Sequence, residues 1–472
     1  MADASMYREE PDLLKLSLRE LGHPCGAATR ERATKQPRAS LVRWGVLRDL
    51  LVDSWQNPNE TNEVVARRHL QALSPIERDL TWKMFLNVRW ILPLPEGSEI
   101  DFQGESRYYE HMEAGIATSV YITWSFLHPD GTRERFRLKT GRSVTSSEEA
   151  ALLWRDAETG EAFHDVMAWS GEIADIDQPA SLEERLREVI EGSTALGDPS
   201  PRPGYYCVRC DRAARCGVYP TSESGKAPTH ARTLNLTKTD LIDLALCQRR
   251  VAWRRVHGIP YDSGDDPAGS DELSRGIEFH RLLTTAHASD DPASAVEDFL
   301  HALPVSEVAD FRQMWENHLT LLATDGLTVR RTEFPVGITL LAGEKQDLRG
   351  ATLMGFLDLT ARDALGNPAA IEVKTGTSVV SEVENDLYAV GMRRWLSPGQ
   401  RVVIHRHHVR RNPPECDRFE YSDTDVEQAI ARLRARLAPA LTWDWDDPLQ
   451  PPFQIGAWCQ GCRHQSICGV YR

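Results

Sequence analysis

Cysteine spacing constrains this chain more than any other feature. Cys207-x2-Cys210-x5-Cys216 recurs as Cys459-x2-Cys462-x5-Cys468, and each triplet runs on into the same word, Cys-Gly-Val-Tyr. One further cysteine lies far upstream of each triplet, Cys25 and Cys247, and Cys416 is left over. Two such sets imply two copies of one unit, because a spacing this specific does not recur by composition alone. Lys139-Thr140-Gly141 echoes Lys374-Thr375-Gly376 and strengthens the case. The repeat predicts two units, residues 1–225 and 234–472, joined through Pro220–Thr233, where turn-forming residues replace apolar periodicity.

Four thiolates in this arrangement can hold a soft metal centre, either a [4Fe–4S] cluster or tetrahedral zinc. Cys25 with Cys207, Cys210 and Cys216 would make one such centre, and Cys247 with Cys459, Cys462 and Cys468 the other. Each would fasten the two ends of its unit, like a staple across a long loop. Nine cysteines do not form a closed disulfide framework. The N-terminus has no apolar stretch of a secretory signal, and no apolar run approaches the ~18 residues needed to span a bilayer. A cytoplasmic protein without a membrane partner is the expectation.

Between Cys247 and Cys459 lies a second pattern. Met354–Thr360 reads as a strand carrying Asp358. After a turn at Asp363–Pro368, Ala369–Lys374 reads as another strand, carrying Glu372 and Lys374 two residues apart on one face. Asp358 on a paired strand can face the same side. Two carboxylates converging this way suit Mg²⁺ or Mn²⁺, with His280 on an amphipathic stretch as a further ligand. A neighbouring lysine can stabilise charge developing on a phosphate. Glu384-x3-Tyr388 falls on a helical pattern, Val383–Trp395.

In this order the motifs resemble the RecB-like branch of the PD-(D/E)xK nucleases in its iron–sulfur form. That pattern is Cys, Gly-x3-His, Gly-x2-Asp, Glu-x-Lys, Gln-x3-Tyr and Cys-x2-Cys-x5-Cys. Cys247, Gly276 with His280, Gly355 with Asp358, Glu372 with Lys374, Tyr388 and the last three cysteines meet it over roughly Leu236–Arg472. Glu384 departs from it, standing where the family has a substrate-positioning Gln. The resemblance implies an α/β fold of two tandem restriction-endonuclease-like units, each a mixed central sheet flanked by helices and closed by a four-cysteine cluster. It implies metal-dependent hydrolysis of DNA, often as an exonuclease on single-stranded ends in repair, recombination or defence. His280, Asp358 and Glu372 would ligate Mg²⁺ or Mn²⁺, Lys374 would assist the attacking water, and the cysteines would hold one or two structural [4Fe–4S] clusters.

The first copy lacks this chemistry. Aligned on Lys139 and Lys374, Glu372 corresponds to Arg137 and Asp358 to Thr123; aligned on Gly45 and Gly276, Asp49 stands at His280. A cation at a divalent-metal position opposes binding. The first unit is therefore expected to be silent in cleavage.

Charge narrows the DNA reading. The chain carries 70 Asp and Glu against 55 Lys and Arg, a net −15, so it does not coat nucleic acid over its whole surface. Basic residues cluster locally. Arg249, Arg250, Arg254 and Arg255 follow Cys247, and His405, His407 and His408 alternate with apolar residues in a strand, Arg401–Val409. These are candidates for a DNA groove, with Arg249, Arg250, Glu384 and Tyr388 as DNA-positioning residues. The chain contains no phosphate loop, so unwinding would need a helicase or other complex partner. The competing expectation is a non-catalytic nucleic-acid-binding scaffold subunit.

Overall fold

The structure is a computed structural model. It describes residues 14–17, 39–111, 116–140, 162–175, 203–210, 212–221, 227, 231–259, 271–343, 349–376, 382–460, 462–465 and 467–468. Cys25 and the Gly141 end of the first Lys-Thr-Gly word lie outside them.

The chain divides into two compact units. The first comprises Met1–Arg202 with two short later segments, and the second most of the remainder from Pro203. Among the described residues of the first unit, three helices, α1 (Ala39–Gln56), α2 (Asn62–Leu70) and α3 (Pro75–Ile91), accompany two sheets. Ser74 caps α3 by accepting a hydrogen bond from the Glu77 backbone, and Pro75 occupies the first turn, where a missing N–H costs nothing. The smaller sheet joins β1 (Leu14–Ser17), β4 (Ile116–Ile122) and β3 (Glu105–His111). The larger has the order β2-β5-β6-β7-β8, built from Glu99–Asp101, Trp124–Leu127, Arg133–Lys139, Ala162–Met167 and Glu172–Asp175. Trp55, Trp124, Phe126 and Phe136 pack beside it, with ring centroids 5.2 Å apart for Trp55 and Trp124 and 4.8 Å for Phe126 and Phe136.

The second unit is a three-layer α/β/α arrangement. Its sheet follows β10-β11-β12-β13-β14, from Thr328–Ala342, Arg349–Arg362, Pro368–Lys374, Val402–His408 and Glu415–Tyr421; β9 (Arg232–Thr237) pairs with the first half of β11. On one face pack α6 (Asp271–Ala288), α7 (Pro292–His301) and α8 (Val305–Thr324), burying Phe279, Leu283 and Phe311 against Leu359, Ile371 and Val373. On the other pack α4 (Lys238–Leu246), α5 (Gln248–Ala252), α9 (Glu382–Arg393) and α10 (Asp423–Thr442), burying Leu241, Leu387 and Leu433 against Leu353, Ala370 and Ile404. Capping boxes start α4 at Thr237 and Asp240 and α10 at Ser422 and Asp425. The strands and helix expected around Asp358, Glu372 and Glu384 are β11, β12 and α9. Among the described residues no helix is long and apolar enough to cross a membrane.

The two main sheets share order and polarity. β5 and β6 are antiparallel, β6 and β7 parallel, β7 and β8 antiparallel, as are β11 with β12, β12 with β13 and β13 with β14. Register also agrees: Trp124 opposes Phe136 as Leu359 opposes Ile371.

The first cysteine triplet does not fold with the first unit. The expected boundary after residue 225 lies instead at Arg202, and Cys207, Cys210 and Cys216 belong to the second unit. Asn235 Nδ2 on β9 donates to the carbonyls of Cys207 and Cys210 at 3.1 and 2.7 Å, and Thr339 on β10 binds the backbone of Tyr219 and Pro220. Tyr219 and Cys207 bury themselves against Met354. The expectation that this triplet closes the first unit is corrected: apolar burial and backbone hydrogen bonds tie it to the second sheet.

Candidate active site

Asp358 and Glu372 come together through strand register. Leu359 opposes Ile371, so Asp358 stands across from Glu372 on the neighbouring strand. The Val373 backbone N–H donates to Asp358 Oδ2 at 2.6 Å and fixes that carboxylate. His280 arrives from α6, its Nδ1 3.2 Å from Asp358 Oδ1. Two glycines make room. A Cβ at Gly276 would lie 3.0 Å from Thr375 Oγ1, and one at Gly355 would lie 3.1 Å from the Tyr388 ring. Close approach of α6 to β12, and of α9 to β11, accounts for both residues.

Glu372 is buried, only 3% exposed, and divides its oxygens unequally. Oε1 accepts from Lys374 Nζ at 2.7 Å and from Lys238 Nζ at 2.9 Å. Oε2 is buried with no hydrogen-bond partner. Both lysines also reach Glu384 Oε1, Lys238 at 2.6 Å and Lys374 at 3.0 Å. Tyr388 closes the group: its hydroxyl receives Lys238 at 2.8 Å and lies within reach of Glu384 Oε1 and the Phe356 carbonyl, both at 3.2 Å.

The electrostatics follow from this packing. Burial alone would raise both carboxyls, but His280, Lys238 and the Val373 N–H hold Asp358 below its ordinary value. Burial and Asp358 push Glu372 up, and Lys238 with Lys374 outweigh them, so it too stays ionised. Burial disfavours a charged His280, yet Asp358 raises it above an ordinary histidine. Burial also disfavours a charged Lys238, and Glu372, Glu384 and Asp358 overcome this and keep it cationic. Three carboxylates therefore face two ammonium groups, with one carboxylate oxygen left unpaired.

This donor set fits a divalent cation. His280 Nδ1 meets Asp358, Glu372 stands across the ladder from Asp358, and the unpartnered Glu372 Oε2 is the atom that most needs a positive partner. The match to a known family falls on the same residues. The family model of the PD-(D/E)XK nuclease superfamily matches residues 235–469. Residues 235–469 are a PD-(D/E)XK nuclease superfamily domain. The solved structure of SSO0001 is 14% identical, covering 50% of this chain and 87% of that chain, with a TM-score of 0.23. A provisionally named exonuclease from Eubacterium rectale is 12% identical, covering 49% and 87%, with a TM-score of 0.32. No curated protein matches the chain.

Lys238 is the nuclease-domain residue that sequence reasoning missed. The capping box Thr237-x2-Asp240 announces a helix starting at Lys238, but nothing in the spacing ties it to Glu372, 134 positions away.

The expected DNA-positioning residues behave differently. Glu384 is buried and Tyr388 fully so, and both hold the lysines rather than facing outward. Arg249 donates to the Pro451 carbonyl and lies over the Phe453 ring. Arg250 and Arg254 pair with buried Asp243, and Arg254 and Arg255 with buried Asp240. His405, His407 and His408 are buried as well. Internal ion pairs and burial thus commit most of the basic groups expected to line a groove.

The cysteines keep their repeat in three dimensions. Cys207 N–H donates to the Gly204 carbonyl, Cys210 to Cys207 and Cys216 to Arg212; Cys459 donates to Gly456, Cys462 to Cys459 and Cys468 to His464. Cys462 lies in the field of Cys247 and Cys468, and burial raises its thiol against the pull of the His464 N–H and Arg250. Cys25 lies outside the described residues.

In the first unit, Leu138 N–H donates to Thr123 Oγ1 at 2.9 Å, where Val373 donates to Asp358. At the Glu372 position Arg137 grips Asp165 through two bonds of 2.6 and 2.7 Å, and Lys139 Nζ lies 3.1 Å from the same fully buried carboxylate. The first unit thus has a carboxylate between two cations where the second has two carboxylates on adjacent strands.

Proposed function

We propose that the second unit is a divalent-metal-dependent DNA exonuclease acting on single-stranded ends, and that the first unit is a silent copy of the same fold. The buried, unpartnered Oε2 of Glu372 beside Asp358 and His280 carries this reading. These three residues would hold Mg²⁺ or Mn²⁺, which would supply Lewis-acid polarisation of the phosphate and a more acidic water. Lys374 lies against Glu372 and is poised to orient an attacking water and to balance charge gathering on phosphate oxygens. Lys238 and Glu384 keep that ammonium and Glu372 in one geometry, and Tyr388 braces them.

The shared strand order, the shared register and the matching Thr123 and Asp358 anchors support a duplication. In this reading the Arg137–Asp165–Lys139 group replaces a metal site with a self-neutralising one. Cys247, Cys459, Cys462 and Cys468 would hold a structural [4Fe–4S] cluster, supported by their repeat spacing and shared neighbourhood. Zinc is the competing occupant: anaerobically purified protein that is brown, absorbing near ~400 nm, supports the cluster, and colourless protein supports zinc. Work on single-stranded ends calls for a helicase or another complex partner to expose them, in DNA repair, recombination or defence in the cytoplasm.

Linear and circular single-stranded DNA distinguish the exonuclease. With Mg²⁺ or Mn²⁺, linear DNA should be degraded and circular DNA should survive. Degradation of both would make the enzyme an endonuclease, and cleavage of neither by cluster-loaded protein would make it a scaffold.

A further inference from the structure

The second unit gathers another ligand set away from the carboxylates described above. β13 carries His405 and His407 two residues apart, on the same face of the strand. They register with Ile371 and Val373 of β12. Those residues alternate with Glu372 and Lys374, so the two histidines face the side of the sheet covered by α6–α8. Across the antiparallel pair, Cys416 on β14 opposes His407. Asp325, the C-terminal cap of α8, supplies a carboxylate from above.

One ligand atom from each of Asp325, His405, His407 and Cys416 can be chosen so that all four lie within 4.8 Å of one another. His405 Nδ1 is 2.9 Å from Asp325 Oδ2, His407 Nε2 is 3.5 Å from that same oxygen, and Cys416 Sγ is 3.6 Å from His405 Nδ1. Bonds of about 2.0–2.3 Å to a tetrahedral zinc put ligand atoms roughly 3.3–3.7 Å apart, so little movement is required. His407 is fully buried, and its Nε2, facing the group, has no hydrogen-bond partner. A hydrogen-bonded cluster alone leaves that nitrogen unsatisfied, whereas a cation at the centre satisfies it. The other ring nitrogen, Nδ1, lies 3.2 Å from His318 Nδ1, and His318 Nε2 lies 3.0 Å from His287 Nε2. An outer partner on the second nitrogen is what orients a metal-bound imidazole.

We propose that Asp325, His405, His407 and Cys416 form a zinc site. Two imidazoles, a thiolate and a carboxylate suit Zn²⁺ and not Mg²⁺, which prefers oxygen ligands throughout. Binding displaces the Cys416 thiol proton to solvent, so one Zn²⁺ meets one thiolate, one carboxylate and two neutral imidazoles, and the site is electrically neutral. The ion ties the end of α8 to β13 and β14. Its role is structural, because four protein ligands close the coordination sphere.

Peptide-resolved alkylation of the full-length chain tests this. Iodoacetamide labelling of Cys416, read by mass spectrometry with and without added ZnCl₂, separates this thiol from the other eight. Zinc should slow Cys416 labelling by about tenfold or more. In parallel, metal analysis of dialysed protein should show one zinc fewer per chain in Cys416→Ser and in His405→Ala than in the unsubstituted chain. Unchanged Cys416 labelling with zinc present overturns the proposal, whether or not the variants fold. So does equal zinc content in the unsubstituted chain and in variants whose circular dichroism is native.

Discussion

Arg137 and Glu372 occupy the same place in two similar sheets, and nearly everything around them agrees except charge. Both sit on a strand flanked by one antiparallel and one parallel neighbour. Both strands place the next backbone N–H on a side chain across the ladder, Thr123 in one case and Asp358 in the other. In the first unit Arg137 and Lys139 enclose Asp165. In the second, Asp358, Glu372 and Glu384 outnumber Lys238 and Lys374, and one oxygen has no partner. The backbone frame supplies position, and the charge placed on it differs; in the proposed function that difference admits a divalent cation to the second sheet and opposes one in the first.

Neutralising each group in turn separates the two units. Asp358→Asn with Glu372→Gln should reduce metal-dependent DNA cleavage by about 10³-fold or more, since it removes the residues proposed to hold the ion. Asp165→Asn should leave cleavage within about twofold and lower the unfolding free energy by about 3 kcal/mol, read by denaturant titration, because two cations lose the buried carboxylate they share. Equal loss of cleavage in both variants would mean that the first unit takes part in the chemistry.

Lys238→Ala tests the lysine pair inside the second unit. Cleavage should fall about 10- to 100-fold, mainly in kcat, because Glu372 and Glu384 lose the cation that bridges them and offsets their repulsion. A rise in KM alone would make Lys238 a DNA contact instead. The smallest effect concerns acid. Burial lowers His287 to about 4, so the folded chain keeps it neutral while the unfolded chain takes up a proton below about 6.5. Its contribution is complete above that pH and is lost as pH falls from about 6.5 towards 4, at up to about 1.4 kcal/mol per unit. A His287→Leu variant should show a flatter stability profile over this window, and an identical slope would count against the assignment.

What could be read beforehand depended on sequence distance. Asp358, Glu372 and Lys374 were legible because strand periodicity and a short turn fix their mutual positions within seventeen residues. Lys238 was not, since only the folded sheet brings β9 and α4 beside β12. The cysteine repeat revealed two triplets, but spacing does not say which unit buries them. Asn235, Thr339 and Met354 decide that for Cys207–Cys216. His405 and His407 alternate with other residues as an exposed basic strand would, and only the cover of α8 and β14 shows them to be interior. Arg250, Arg254 and Arg255 looked free because Asp240 and Asp243, which neutralise them, precede them on another helix.

In the proposed function the second unit cuts DNA and the first does not. Cleavage of end-labelled linear single-stranded DNA in Mg²⁺ or Mn²⁺ tests it most directly, comparing the unsubstituted chain with Asp358→Asn/Glu372→Gln and with Arg137→Gln/Lys139→Gln. The account predicts that the first double variant is inactive and the second cuts at the unsubstituted rate. Metal-dependent cleavage that persists in the first variant, or disappears in a natively folded second, would contradict it.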